Sequence, residues 1–216
     1  MFGFLSRRSE PLLIETANAY LRFPERGDFN AWRSLRMASR AFLQPWEPSW
    51  STDELSRLSY LGRVGRYERE YVEGHAIPLF LFMKESDELL GGLTIGYIRR
   101  GAAQSCMIGY WMGERHAGQG HMTAALDAVI PHIFQRLKLH RIEAACIPEN
   151  TRSIRLLEKA RFRREGYLRG YLKINGVWRD HLLFARLKDD SADHPDGAGA
   201  PVVGMVPGDP DLNGAR

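Results

Sequence analysis

The sequence predicts an α+β (mixed α/β) domain built around one sheet, and three observations carry that expectation. Between residues 77 and 112 three strand-like runs follow one another with no helix between them. A helix, a strand and a second helix then occupy 119–160. The last two strands are joined by Asn175-Gly176, a dipeptide suited to the positive φ angles of a two-residue hairpin turn.

In chain order, residues 1–10 read as a flexible leader to a domain spanning 11–188, and Tyr20–Phe23 as a short strand. Asp28 precedes Phe29, Trp32, Leu35 and Arg36 at helical spacing and is expected to cap a helix running to about Arg40. Pro45 and Pro48 keep 43–50 irregular. Ser51 or Thr52 is expected to cap a second helix to about Glu73, with Asp53 and Glu54 in its positive first turn. Ile77–Lys84, Leu89–Arg99 and Gln104–Met112 then form an antiparallel meander. Over Gln119–Leu137 the residues Met122, Leu126, Val129, Ile133 and Leu137 share one stripe; Pro131 removes a backbone donor, so a kink is expected near Asp127. Arg141–Ile147 is the fifth strand, Thr151–Ala160 a short helix, and Arg163–Ile174 and Val177–Leu187 the closing hairpin. Residues 189–216 are rich in Asp, Gly and Pro. They offer too little apolar area to offset the entropy of ordering and are expected to be a disordered acidic tail.

The 216 residues are 44% hydrophobic and 26% charged, which excludes collagen, coiled coil and wholesale disorder and suffices for one core. Cys106 and Cys146 are the only cysteines and make no CxxC pair, so a zinc finger is excluded and a reducing cytoplasm is expected. No apolar run approaches the roughly 18 residues of a membrane span. The charges of Met1–Arg8 follow a short apolar stretch rather than precede a long one, the reverse of a signal peptide. The net charge of +4 understates the body: residues 1–188 hold 29 bases against 20 acids, a net of +9. Such a body fits an anionic ligand or a ribonucleoprotein partner, and equally a soluble Arg-biased surface.

The informative stretch is Ile108–Thr123, which reads as strand, glycine loop and helix. Gly118 and Gly120 permit a tight turn, and the free N–H groups of the following helix converge on one spot, an anion site beside Arg115. The pattern R-x-x-G-x-G has no Lys after it, unlike a P-loop, and lacks the first glycine of a dinucleotide fingerprint. A glycine loop that merely joins a strand to a helix remains the plain alternative.

Four blocks extend this stretch: Tyr110-Trp111-Met112-Gly113, Arg115-x-x-Gly118-x-Gly120, Asn150-x-x-Ser153 and Leu156-Leu157-Glu158-Lys159. In this order the chain resembles the GCN5-related N-acetyltransferase (GNAT) superfamily along residues 20–187. Ala41–Pro48, His140–Ala144, Glu165-Gly166-Tyr167 and Tyr171–His181 are similar to ribosomal-protein-alanine N-acetyltransferases of the RimJ type. The resemblance implies a GNAT-like single domain. Its mostly antiparallel sheet would splay between the fourth and fifth strands, flanked by about four helices.

It also implies acetyl-CoA as cosubstrate. The pantetheine arm would pair with Trp111, Met112 and Gly113. The pyrophosphate would lie on Ala117, Gly118, Gln119, Gly120, His121, Met122 and Thr123, beside Arg115 and His116. Asn150 would bond the pantetheine arm, or else cap a helix. Leu157 takes the position of the family's usual acidic Tyr, which leaves Ser153 as the group for the leaving thiolate, or as an ordinary early-helix serine. Leu172 takes the position of a Glu base found in relatives. Glu149 could act through water, with Asp180 and Glu47 as further acids. An α-amine titrates near 8, so no single acid is expected to be essential. His116 and His121 have no third ligand at suitable spacing, and no metal is expected. Trp46 is a candidate acceptor wall. Arg161 replaces a family Gly and, at positive φ, would store strain of order 1 kcal/mol.

The first functional expectation is acetyl transfer to the N-terminal α-amine, Ala-type, of a ribosomal protein, with the ribosome as the place of encounter. The others are a small-amine acetyltransferase (aminoglycoside or polyamine) and a CoA-binding ribosome-assembly factor with little catalysis. No membrane partner and no direct nucleic-acid site are expected, and no motif speaks to oligomeric state.

Overall fold

A computed structural model describes residues 12–190. The expected leader at 1–10 and tail beyond 190 lie outside the described residues. Asp189 and Asp190 form a turn, in which the Asp190 carboxylate accepts the Leu187 N–H at 2.8 Å.

One eight-stranded sheet organises the chain. Its strands are β1 (Leu13–Glu15), β2 (Ala19–Arg22), β3 (Ile77–Met83), β4 (Leu89–Arg99), β5 (Ser105–Met112), β6 (Arg141–Cys146), β7 (Arg163–Ile174) and β8 (Val177–Leu187). They lie in the order β1-β2-β3-β4-β5-β6-β8-β7. Every pairing is antiparallel except β5 with β6. The mixed α/β class and the meander 77–112 are as the sequence predicts. Asn175 and Gly176 hold φ of 44° and 83°, the left-handed pair a two-residue hairpin demands.

Alternation along the strands assigns the two faces. Leu79 and Leu81 of β3 point to one side, with Ile142 and Ala144 of β6. They pack under α4 (His121–Pro131) and α5 (Thr151–Lys159), which contribute Met122, Leu126, Val129 and Leu157. Phe80 and Phe82 point to the other side. They pack with Trp32 and Leu35 of α1 (Phe29–Ala38) and Tyr60 and Val64 of α3 (Arg57–Val72). A one-residue slip in β3 would exchange these two sets.

Among the described residues there are five α-helices where about four were expected, because the chain turns at Ser39 and resumes as the short α2 (Arg40–Leu43). Asp28 stands ahead of α1 but does not cap it: its carboxylate takes a two-pronged pair from Arg22 (2.6 and 2.8 Å) and the Glu25 N–H. α3 begins at Arg57, not near Ser51. Ser56 is its cap, accepting the Ser59 N–H at 3.1 Å, while Asp53 is held by the hydroxyls of Ser51 and Ser59. Past Pro131 the backbone adopts a π-helical turn over His132–Arg136, so the irregularity follows the proline instead of falling at Asp127. β1 was not foreseen, since three residues with one inward side chain carry no period.

The sheet opens where the parallel pair fails. β5 and β6 are in register only at Ser105–Arg141, Cys106–Ile142 and Met107–Glu143. Beyond Met107 the strands diverge. With β1 set ahead of the strands that the sequence predicts, this is the expected splay between the fourth and fifth of those strands.

Candidate active site

The splay is a cleft of about 780 Å³. One wall is the outer end of β5. Residues Ile108–Met112 pair with β4 on one side only, so their other edge faces the cleft without a strand partner. An extended ligand with amide groups would satisfy that edge. Trp111 and Met112 line the cleft. Gly113 does not; it lies against α1, where an added Cβ would collide with the Leu35 side chain.

The second wall is the loop into α4. Gly118 and Gly120 have φ of 78° and 86°, and open space lies where a Cβ would be, so backbone conformation is what requires glycine. The helix takes its first bond with Ala124 N–H to the Gly120 carbonyl (3.0 Å). The N–H groups of His121, Met122 and Thr123 stand ahead of it and face the positive end of the helix dipole. His116, Ala117, Gly118, Gly120, His121, Met122 and Thr123 all line the cleft; Arg115 and Gln119 do not. Arg115 turns outward into a salt bridge with Glu88, and the Gln119 amide donates to the Arg115 carbonyl at 2.6 Å. The buried His116 accepts from Arg115 Nε at 3.0 Å, and burial holds its pKa below the ordinary histidine value. Among the described residues no three His, Cys, Asp or Glu side chains are grouped to hold a metal.

α5 forms the third wall. Asn150 Oδ1 accepts the Ser153 N–H at 3.1 Å, which caps the helix, and Asn150 lines the cleft. Ser153 Oγ lies 2.6 Å from the Tyr110 hydroxyl. Burial pushes the Tyr110 phenol well above its usual value, so it stays protonated. Leu157, which the resemblance sets at a tyrosine position, is buried in the core and does not line the cleft. Arg152, Arg155 and Lys159 do, at spacings i, i+3 and i+7. That basic stripe was legible in the sequence and was not read there.

The carboxylates fall elsewhere than the base assignment required. Glu149 lies outside the cleft lining, exposed, 3.3 Å from Arg179. Asp180 also lies outside it. One oxygen takes the Tyr167 hydroxyl and the other the Gly170 N–H, both at 2.6 Å, which holds its carboxyl below the usual range. Glu47 lines the cleft but is fully occupied by Arg36 (2.7 Å twice) and Trp50 Nε1 (2.9 Å). Its carbonyl accepts the Asn175 N–H at 2.9 Å, which ties the Trp46 loop to the β7–β8 hairpin. Leu172 and Trp46 line the same mouth. His181 also lines it and was not singled out from the sequence.

Arg161 has a φ of 61°, in the left-handed region, just past Ala160, the C-cap of α5. Its N–H bonds the Glu158 carbonyl and the Phe162 N–H bonds the Leu157 carbonyl, both at 2.9 Å. The left-handed turn is thus formed with Arg at this position, and the turn stores the strain.

The profile of the acetyltransferase (GNAT) domain matches residues 18–163. The probable N-acetyltransferase YjcK of Bacillus subtilis is 34% identical over 178 residues, 82% of this chain and 98% of its own. The [ribosomal protein uS5]-alanine N-acetyltransferase of Escherichia coli is 34% identical over 192 residues, 88% of this chain and 97% of its own. The structure of Mycobacterium smegmatis RimJ in complex with CoA-disulfide superposes with a TM-score of 0.78 at 35% identity, covering 83% of this chain and 88% of that one.

Proposed function

The chain belongs to the GNAT acetyltransferase family, with acetyl-CoA as cosubstrate, and on that premise we propose that it acetylates the N-terminal α-amine of a ribosomal protein, one beginning with Ala. The observation that carries the acceptor assignment is the charge of the cleft. Its lining holds one carboxylate, Glu47, already neutralised by Arg36, against Arg152, Arg155, Lys159 and Lys173. A polyamine or aminoglycoside brings several positive charges and needs acidic partners. An α-amine brings one charge, which is lost near pH 8, and a peptide behind it can lie along Trp46, Leu172 and Ile174 at the mouth.

Acetyl-CoA supplies an activated acyl thioester; the chain supplies position and hydrogen bonds. The free edge of β5 from Ile108 to Met112 would hold the pantetheine amides, joined by the Asn150 amide. The N–H groups from Ala117 to Thr123 would hold the pyrophosphate. Arg115 is placed to contribute only by leaving Glu88. A backbone N–H of β5 near Trp111 would receive the developing oxyanion. The amine nitrogen forms the new C–N bond, the C–S bond breaks, and Ser153 donates a hydrogen bond to the departing sulfur. A serine hydroxyl is far less acidic than a thiol, so Ser153 stabilises the thiolate rather than surrendering its proton outright. The Tyr110 phenol, donating to Ser153 Oγ, leaves the serine proton free to face the cleft.

In this reading residues 11–188 are the catalytic unit, with 1–10 and 189–216 as appendages, and the ribosome is the place of encounter. The cytoplasm supplies both substrates and keeps the buried Cys106 and Cys146 reduced. Among the described residues no helix is long and apolar enough to cross a membrane.

The test is incubation with acetyl-CoA and short peptides beginning Ala, Ser, Met or Gly, beside spermidine and an aminoglycoside, with mass spectrometry of the products. Acetylation of the Ala peptide's α-amine above all others is the expected result. Preferential acetylation of spermidine would overturn the acceptor assignment.

A further inference from the structure

The amine must lose a proton as the C–N bond forms, and none of the carboxylates near the cleft is free to take it. Glu47 is saturated by Arg36 and Trp50, Asp180 by Tyr167 and Gly170, and Glu149 faces solvent beside Arg179. We propose that His181 is the catalytic base that accepts the amine proton, directly or through one water.

Four observations carry this. First, His181 is 3% exposed yet lines the cleft. A histidine buried in the core would have no such access. Second, its ring is aimed. Nδ1 lies 3.0 Å from the Arg179 carbonyl, an acceptor, so Nδ1 carries the hydrogen and Nε2 the lone pair. The ring stands edge-on to Tyr171, 5.4 Å between centroids and 71° between planes. Third, Nε2 has no hydrogen-bond partner among the described residues and is not sealed from solvent.

Fourth, His181 and Ser153 work from opposite faces of the sheet. Tyr110 alternates with Cys106 and Ile108 toward the α5 side, where it meets Ser153. In β8, Leu182 and Phe184 face that side, so His181 faces the other. Tyr171 confirms the side, since it touches both His181 and Met107, and Met107 alternates with Trp111 toward α1. The splay between β5 and β6 is the passage through which both reach one reacting centre. The amine enters past Trp46 and Leu172 on the His181 side, and the sulfur leaves on the Ser153 side.

Burial favours the neutral ring, and the bond to the Arg179 carbonyl opposes it. Burial is the largest influence and lowers its pKa. On its own strand Asp180 raises it and Arg179 lowers it. From β7 Tyr171 stands against the ring; Lys173, Cys146, Arg152 and the paired Glu47 line the same cleft, and Glu149 lies outside it, paired with Arg179. A neutral imidazole is suited to accept the proton that the attacking neutral amine sheds as the C–N bond forms, and to pass it to solvent.

The proposal rests on amine acetylation as the reaction. The experiment is kcat/KM for an Ala-initiated peptide from pH 5.5 to 9, for the wild type, His181→Asn and His181→Ala. The wild-type rate depends on neutral amine and neutral imidazole. Its logarithm therefore rises with slope two below the histidine pKa and slope one from there to about pH 8. In both variants kcat falls about 100-fold or more, the low-pH slope becomes one, and the Kd for acetyl-CoA stays within about twofold. Added imidazole raises the rate of His181→Ala. Asn keeps a donor for the Arg179 carbonyl, so it separates base loss from misfolding. Retention of the slope-two limb in His181→Asn, or an equal loss at every pH with weakened acetyl-CoA binding, overturns the proposal while leaving acetylation intact. A wild type that acetylates no amine overturns both.

Discussion

Replacing Tyr110 by Phe removes one hydroxyl and nothing else from the 2.6 Å contact with Ser153. The phenol is buried and stays protonated, so it can donate to the serine oxygen, and the proposed relay uses it in that direction. Loss of that bond costs about 0.5–1.5 kcal/mol between neutral groups, and more as charge grows on the sulfur beyond Ser153. A total of about 1–2 kcal/mol in the transition state lowers kcat by about 5- to 30-fold. Ser153→Ala removes the donor that meets the sulfur and should cost about 100-fold or more. If Tyr110 acts only through Ser153, the double variant is no slower than Ser153→Ala alone, within a factor of about 3. The assay is pre-steady-state acetyl transfer at saturating acetyl-CoA, with its Kd measured separately and expected unchanged. A double variant as slow as the product of the two single effects would refute the relay and make Tyr110 a direct donor to the sulfur. Unaltered kcat in Tyr110→Phe would refute any role for it.

Three further outcomes follow from the geometry. Arg161→Gly relieves a left-handed residue that costs about 1–2 kcal/mol, less about 0.4–1 kcal/mol of unfolded-chain entropy. The gain of about 0.5–1 kcal/mol should raise Tm by about 1–4 °C in a thermal melt, and an unchanged or lower Tm would mean that the turn is not strained. Gly118→Ala and Gly120→Ala force an L side chain into positive φ; the loop shifts or strains, and the Kd for acetyl-CoA measured by calorimetry should rise about 10-fold. His116, His132 and His181 all have pKa values lowered by burial, so the unfolded chain binds their protons first. Their contribution to stability is therefore full above about pH 6.5 and is lost as pH falls through the lower folded values. Melting between pH 8 and 5 should show that decline, and His181→Asn should make it shallower.

Most of the fold was legible because its signals are local. β3, β4, β7, β8 and the Asn175-Gly176 turn carry their period and turn chemistry within a dozen residues. Elements were misread where a side chain had two possible partners. Asp28 looks like a cap until Arg22 takes it, and Ser51 looks like a cap until Asp53 turns to it and leaves the task to Ser56. Each competing bond is charge-assisted or shorter than a cap, and only tertiary structure offers it. The site divides in the same way. The cradle was readable, since Gly118, Gly120 and the first turn of α4 lie within a few residues. Arg115 was not, because Glu88 reaches it from across 27 positions. Tyr110 and Ser153 are 43 residues apart, and neither hydroxyl means anything without the other.

His181 illustrates why catalytic groups evade sequence reading more readily than binding groups. A phosphate cradle is made by consecutive backbone donors, and their identity is written in the glycines between them. A base is one side chain whose competence depends on what surrounds it. Here it depends on a carbonyl two residues back to fix the tautomer, an aromatic edge to fix the ring, and three nearby carboxylates that are all engaged elsewhere. The splay adds a further condition. A continuous sheet is a wall, and groups on its two faces cannot share a reacting atom. Because β5 and β6 pair for only three residues, Ser153 and His181 can address the same thioester from opposite sides. The hydrogen-bond donor for the sulfur and the base for the amine then stand on separate faces, each beside the group it serves. The opening in the sheet is thus what lets the two meet one thioester as well as what admits the cosubstrate.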